Sequence, residues 1–166
     1  MQLTKDELVL YGTSGVCRIE DIREESFTGE VRAYYILRPT ADTGNSKIFV
    51  PADNEALVGS IQRLFSAEEL LQAIAETPAI PREEWPQDGR ARNKRCKELL
   101  ASGDRACLIS LIKTVRTAGH TPTAAEETSC LRAAAMLHQE FSLAFEVTPA
   151  EMIPLILGET EAKIKG

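Results

Sequence analysis

The sequence predicts an α+β chain, with a small antiparallel barrel followed by an all-α helical domain. Three observations carry this reading. Val-, Ile- and Tyr-rich runs alternate with turn residues through residue 50. Apolar residues at i, i+3, i+4 and i+7, opened by capping signals, dominate the second half. Between the two, Pro78, Pro81 and Pro86 interrupt regular structure and place a boundary between Glu76 and Trp85. The expected domains are therefore residues 1–76 and 77–166.

The expected strands are Leu8–Tyr11, Val16–Ile22, Val31–Leu37 and Lys47–Val50. Turns at Gly12-Thr13-Ser14-Gly15, Phe27-Thr28-Gly29-Glu30 and residues 42–46 separate them. Four or five short strands in so few residues leave no room for crossover helices, so the sheet must be antiparallel and strongly bent. Ser66-Ala67-Glu68-Glu69 is a capping box that opens a short helix carrying Leu70, Leu71 and Ile74. A helix after Asp88 presents Cys96, Leu99 and Leu100 as one stripe. Ser102-Gly103-Asp104 stops it and caps the next, which carries Leu108, Leu111, Ile112 and Val115 and ends at Gly119. Thr123-Ala124-Ala125-Glu126 opens a long helix with Leu131, Ala134, Leu137, Phe141 and Phe145. Thr148-Pro149-Ala150-Glu151 opens the last, which Pro154 should kink or shorten, and residues 158–166 read as a frayed tail.

The chain has 166 residues and 18.3 kDa, with 43% apolar and 27% charged side chains, enough for a globular core. No apolar run approaches the ~20 residues of a membrane span, so no membrane partner is expected. Residues 1–7 lack an apolar h-region, which argues against a signal peptide. Cys17, Cys96, Cys107 and Cys130 are widely spaced without a CxxC pair, the usage of a reducing cytoplasm rather than of a disulfide or zinc scaffold. His120 and His138 stand apart from any ligand or nucleophile spacing, so no catalytic residue, metal or cofactor is expected.

Charge is unevenly placed. The net charge is −6 over the chain but +4 over residues 82–116, and residues 90–97 hold five cations and no acid. On a helix Arg90, Lys94 and Lys97 share the face opposite Cys96, Leu99 and Leu100, with Arg95 flanking and Arg92 nearer the apolar side. Such a column suits successive phosphates of a nucleic-acid backbone, with no pattern for reading bases. A solvated helix face with no ligand is the competing reading. Trp85, the only tryptophan, is either a lid on the domain junction or an exposed aromatic that wedges against a base.

Leu10–Cys17, Gly29-Glu30 leading to Tyr34–Leu37, and Phe49–Asn54 together resemble the amino-terminal domain of CarD-like (CdnL) bacterial transcription regulators. Trp85, the basic segment and Leu100–Asp104 extend the resemblance through residue 155. It implies a Tudor-like, SH3-like barrel that binds the β-subunit lobe of bacterial RNA polymerase. It also implies a helical domain that touches promoter DNA in the minor groove, without sequence specificity, at the upstream edge of the bubble. The implied outcome is a longer-lived open complex, from a monomer that is cytoplasmic and nucleoid-associated through the polymerase. Trp85 matches the family's wedge, with Arg90, Arg92, Lys94, Arg95 and Lys97 beside it. Lys47-Ile48-Phe49-Val50-Pro51 is the expected polymerase-binding edge, because Pro51 cannot continue a central strand. Two features depart from better-known members. Pro86–Gly89 separates Trp85 from the basic run, and Glu25 and Phe49 stand where some members place arginines. A protein-interaction adaptor, its helical domain binding a second protein, is the alternative from another class.

Overall fold

Leu8–Tyr11 (β1) and Val16–Glu25 (β2) form the first hairpin of a computed structural model that describes residues 2–42 and 44–166. The tight connection Gly12–Ser14 needs positive φ at Gly12 (50°) and Gly15 (73°), where a side chain would clash with its own backbone. Arg32–Pro39 (β3) and Ile48–Pro51 (β4) follow. Thr43, within the turn expected at 42–46, lies outside the described residues. A one-turn helix, Glu55–Gly59 (α1), capped by Asn54, leads into Ile61–Arg63 (β5). Neither α1 nor β5 has a periodic signal, being too short to show one.

The strands form one antiparallel sheet in the order β4-β3-β2-β1-β5. β2 is longer than expected and carries a register shift between Ile19 and Asp21, a bulge that increases local twist. Val50 from β4 and Ile61 from β5, at opposite edges, share one core with Leu3, Val9, Cys17, Ile19 and Leu37. The sheet therefore curls around its apolar face, which burial of about 1.5–3 kcal/mol per large side chain stabilises.

Residues 65–166 form a second compact unit, so the division falls after Leu64 rather than after Glu76. Ala67–Glu76 (α2) belongs to the helical core through Leu70, which is fully buried there. The proline-rich stretch behind it is held rather than loose. The Lys113 ammonium binds the carbonyls of Ile74 and Thr77, and the Ile80 amide donates to Thr114 Oγ1 at 2.8 Å. Prolines end α2 as expected, but side chains from the next helices fasten the chain they interrupt.

The remaining elements are Gly89–Ser102 (α3), Arg105–Thr117 (α4), Ala124–Ala144 (α5), Phe145–Glu146 (β6), Met152–Ile156 (α6) and Lys163–Ile164 (β7). Gly103 takes the left-handed C-cap (φ 63°) and Asp104 caps α4, as the Ser-Gly-Asp signal requires. Phe141, Phe145, Ile109, Leu111 and Ile112 fill the core. The buried face of α5 is centred on Cys130, Ala133, Leu137 and Phe141, which leaves Leu131 60% exposed rather than in the expected stripe. Phe145 is a strand residue, paired with Ile164, so the carboxy-terminal segment is anchored by a β6–β7 pair rather than frayed.

Candidate functional site

Among the described residues β4 pairs only with β3, and its other side is open. Ala52 N–H donates to Ala33 O at 2.9 Å. With Val50 opposite Tyr35 and Phe49 opposite Ile36, alternation then turns the Phe49 N–H and C=O outward and those of Ile48 and Val50 inward. Pro51 has no N–H to offer, so Phe49 is the strand's outward donor. This is a short edge that one extended segment can extend. Lys47 lies just before the strand and pairs with Glu20 at 3.3 Å, beside the Glu20–Arg38 bond of 2.8 Å. Those cations hold the Glu20 carboxyl below its usual range.

Side chains add an apolar shoulder to this edge. Phe49 meets Phe27 edge-to-face at 5.1 Å, and Phe27 meets Tyr34 at 5.3 Å. Phe27 is 58% exposed and Val31 65%, both in the β2–β3 turn. A turn reading of Phe27-Thr28-Gly29-Glu30 hid this cluster, because it forms only when β4 lies beside β3. Glu25 is bonded to Arg23 at 2.6 Å.

The basic helix separates into two classes of cation. Arg90, Lys94 and Lys97 are exposed and have no acidic partner among the described residues. Arg95 is exposed and reaches Glu98 at 3.4 Å. Arg92 points inward: its Nε donates to Glu126 Oε1 at 2.9 Å, and its Nη1 binds the carbonyls of Pro86 and Gln87. It is therefore not part of the phosphate-facing column. Its guanidinium holds the Pro86–Gly89 spacer against the helix.

Glu126 has no solvent exposure. Burial raises its pKa, but the Arg92 bond and charge, His120 at 3.5 Å and the Thr123 cap outweigh burial and lower it below the ordinary value. Thr123 Oγ1 still accepts from the Glu126 amide at 3.1 Å, but the carboxylate turns inward to Arg92. The capping box that this Thr-Ala-Ala-Glu spacing allows is thus only half made. Sequence spacing pointed to the cap and missed the ion pair, which spans 34 residues.

Trp85 is 7% exposed and packs in the helical core, so the exposed wedge expected from the resemblance is not found. Its amide bonds back to Pro81 O and Arg82 O, a turn that carries the indole into the apolar interior. A second ion pair, Arg105 with Glu140 at 2.5 Å, is also buried. The Arg105 guanidinium stacks 3.6 Å over the Phe65 ring, and the Phe65 amide donates to Glu140 at 2.8 Å.

The thiols are poorly placed for nucleophilic work. Cys17 and Cys130 are buried and pushed up to about 11 by desolvation, and burial also raises Cys96. His138 contacts Val147 O at 2.9 Å, a structural bond. Among the described residues no three His, Cys, Asp or Glu side chains converge as a metal site, and no helix is long and apolar enough to cross a membrane.

No curated protein matches the chain. Residues 3–64, which coincide with the five-stranded unit, match the family model described as the CarD-like/TRCF RID domain. The amino-terminal unit is accordingly a CarD-like/TRCF RID domain, a domain type that interacts with RNA polymerase.

Proposed function

We propose that the chain is a transcription regulator that docks on the β-subunit lobe of RNA polymerase through the β4 edge. The helical unit then contacts promoter DNA phosphates through Arg90, Lys94 and Lys97, with Arg95 beside them. The observation that carries the reading is the open β4 edge in a polymerase-interacting domain. Docking raises the effective concentration of a weak DNA-binding face near the bubble. Preferential binding to the open complex lengthens its lifetime by that difference in affinity. The action needs no catalytic group or cofactor, one copy of the chain suffices, and the setting is the bacterial cytoplasm.

In this proposal Trp85 supports the helical core behind the DNA-facing surface instead of entering the groove. The test is the open-complex lifetime on two unrelated promoters, with the parent chain and with Lys94→Glu/Lys97→Glu. The parent should lengthen both lifetimes and the double variant neither, since phosphates carry no sequence information. Equal lifetimes for the two proteins would assign the helical unit to a protein partner instead.

A further inference from the structure

We propose that the cavity bordered by Trp85 in the helical unit is a binding site for a small aromatic oxyanion. Its volume is about 480 Å³, within the ordinary range for small-ligand sites. Its lining combines three cationic side chains, Arg82, Arg92 and His120, with the apolar Ile80, Trp85 and Pro86. That mixture matches a ligand that carries both a charged acceptor group and a flat ring.

One cation of the lining, Arg82, is not answered by a carboxylate among the described residues, which sets the ligand's charge. Arg92 and His120 both lean on Glu126, at 2.9 and 3.5 Å, so one buried carboxylate already answers them. Arg82 has no acidic partner among the described residues. Its guanidinium lies against Gly119, where a Cβ would come within 2.6 Å of Nη2, and Gly119 holds a φ of +82°. Trp85 contributes its ring to the lining, while its Nε1–H is buried beneath the cavity surface, out of reach of a ligand oxygen.

A nucleoside monophosphate and an aryl carboxylate share this chemistry, and the test separates them. Trp85 is the only tryptophan, so ¹⁵N-labelled full-length protein shows a single indole N–H resonance that reports on the cavity. AMP and benzoate are titrated separately, with inorganic phosphate, adenosine and a short DNA duplex as further arms. The expected result is a saturable shift with AMP or benzoate, the better of the two naming the oxyanion. Arg82→Ala should weaken that binding about tenfold or more, the loss of one charge-assisted bond. Arg82→Lys should recover part of it, and Lys94→Ala, outside the cavity, should change nothing.

An indole resonance that neither small anion moves would overturn the proposal. So would equal affinity in Arg82→Ala, or equal binding of adenosine or phosphate alone. A shift produced only by the duplex would assign the cavity to nucleic acid and likewise overturn it.

Discussion

Arg92→Ala should cost far more stability than any other change in the basic segment. The reason is geometric: Arg92 Nε lies 2.9 Å from an oxygen of Glu126, a residue with no solvent exposure. Removing the guanidinium leaves a buried carboxylate with only His120, at 3.5 Å and partly exposed, as a cationic partner. It also frees the Pro86 and Gln87 carbonyls. Breaking a buried pair in this way costs about 3–5 kcal/mol. For a unit of this size each kcal/mol moves Tm by about 4–8 °C, so the helical transition should fall by at least roughly 12 °C.

Lys94→Ala, two residues along the same helix but exposed, should stay within about 0.5 kcal/mol of the parent. Arg92→Leu with Glu126→Leu should recover much of the loss, because it removes the stranded charge as well as its partner. Calorimetry of the full chain reads all three. A Tm for Arg92→Ala within about 2 °C of the parent would refute the buried-pair account. Arg92 would then belong with the surface cations.

Acid should expose the same pair. The folded Glu126 carboxyl sits below its unfolded value of about 4.3, so its contribution is present above that pH and lost as pH falls through the folded value. Tm measured from pH 7 downward should therefore drop more steeply below about 4.3 in the parent than in Glu126→Gln, and parallel curves would contradict this. In iodoacetamide labelling of the folded chain at neutral pH, Cys17, Cys96 and Cys130 should stay unmodified and only the half-buried Cys107 should react, read by mass spectrometry. If three cations neutralise phosphates, DNA-dependent binding of the polymerase–promoter complex should follow a log–log salt slope near −2.7, a roughly 40-fold loss for a fourfold rise in salt. Lys94→Glu/Lys97→Glu should flatten that slope, and an unchanged slope would remove the helix from the interface.

What sequence alone could show follows from distance along the chain. Local codes were legible: the glycine hairpin at 12–15, the Ser66 and Asp104 caps, and the Gly103 stop each act within a few residues. The edge position of β4 was legible too, because Pro51 excludes a central strand. Contacts spanning 30 or more residues were not. Helical periodicity sets Arg92 nearer the apolar side than the other cations but cannot show its partner, which waits 34 residues downstream. Sequence leaves Trp85 open between a lid and an exposed wedge because its neighbours along the chain are charged or proline, while its neighbours in space are apolar. The prolines mark a boundary in sequence, whereas Leu70, Lys113 and Thr114 tie that whole stretch to the helices. The Phe27–Phe49 contact depends on strand order, which no local pattern encodes.

The most direct measurement of the central proposal is the affinity of the full chain for the isolated polymerase β lobe, comparing Phe49→Pro with Phe49→Ala. Proline at this outward position removes the edge donor while sparing the inward bonds to β3 that a proline at Ile48 would break. Phe49→Ala removes the ring and its contacts with Phe27 and Tyr34 but keeps the N–H. If the edge pairs with the lobe, Phe49→Pro should abolish detectable binding, and Phe49→Ala should weaken it by about 5- to 10-fold, the scale of one aromatic contact. The helical transition should be unmoved in both. Parent-like affinity in Phe49→Pro would contradict the account and place the polymerase contact elsewhere on the domain.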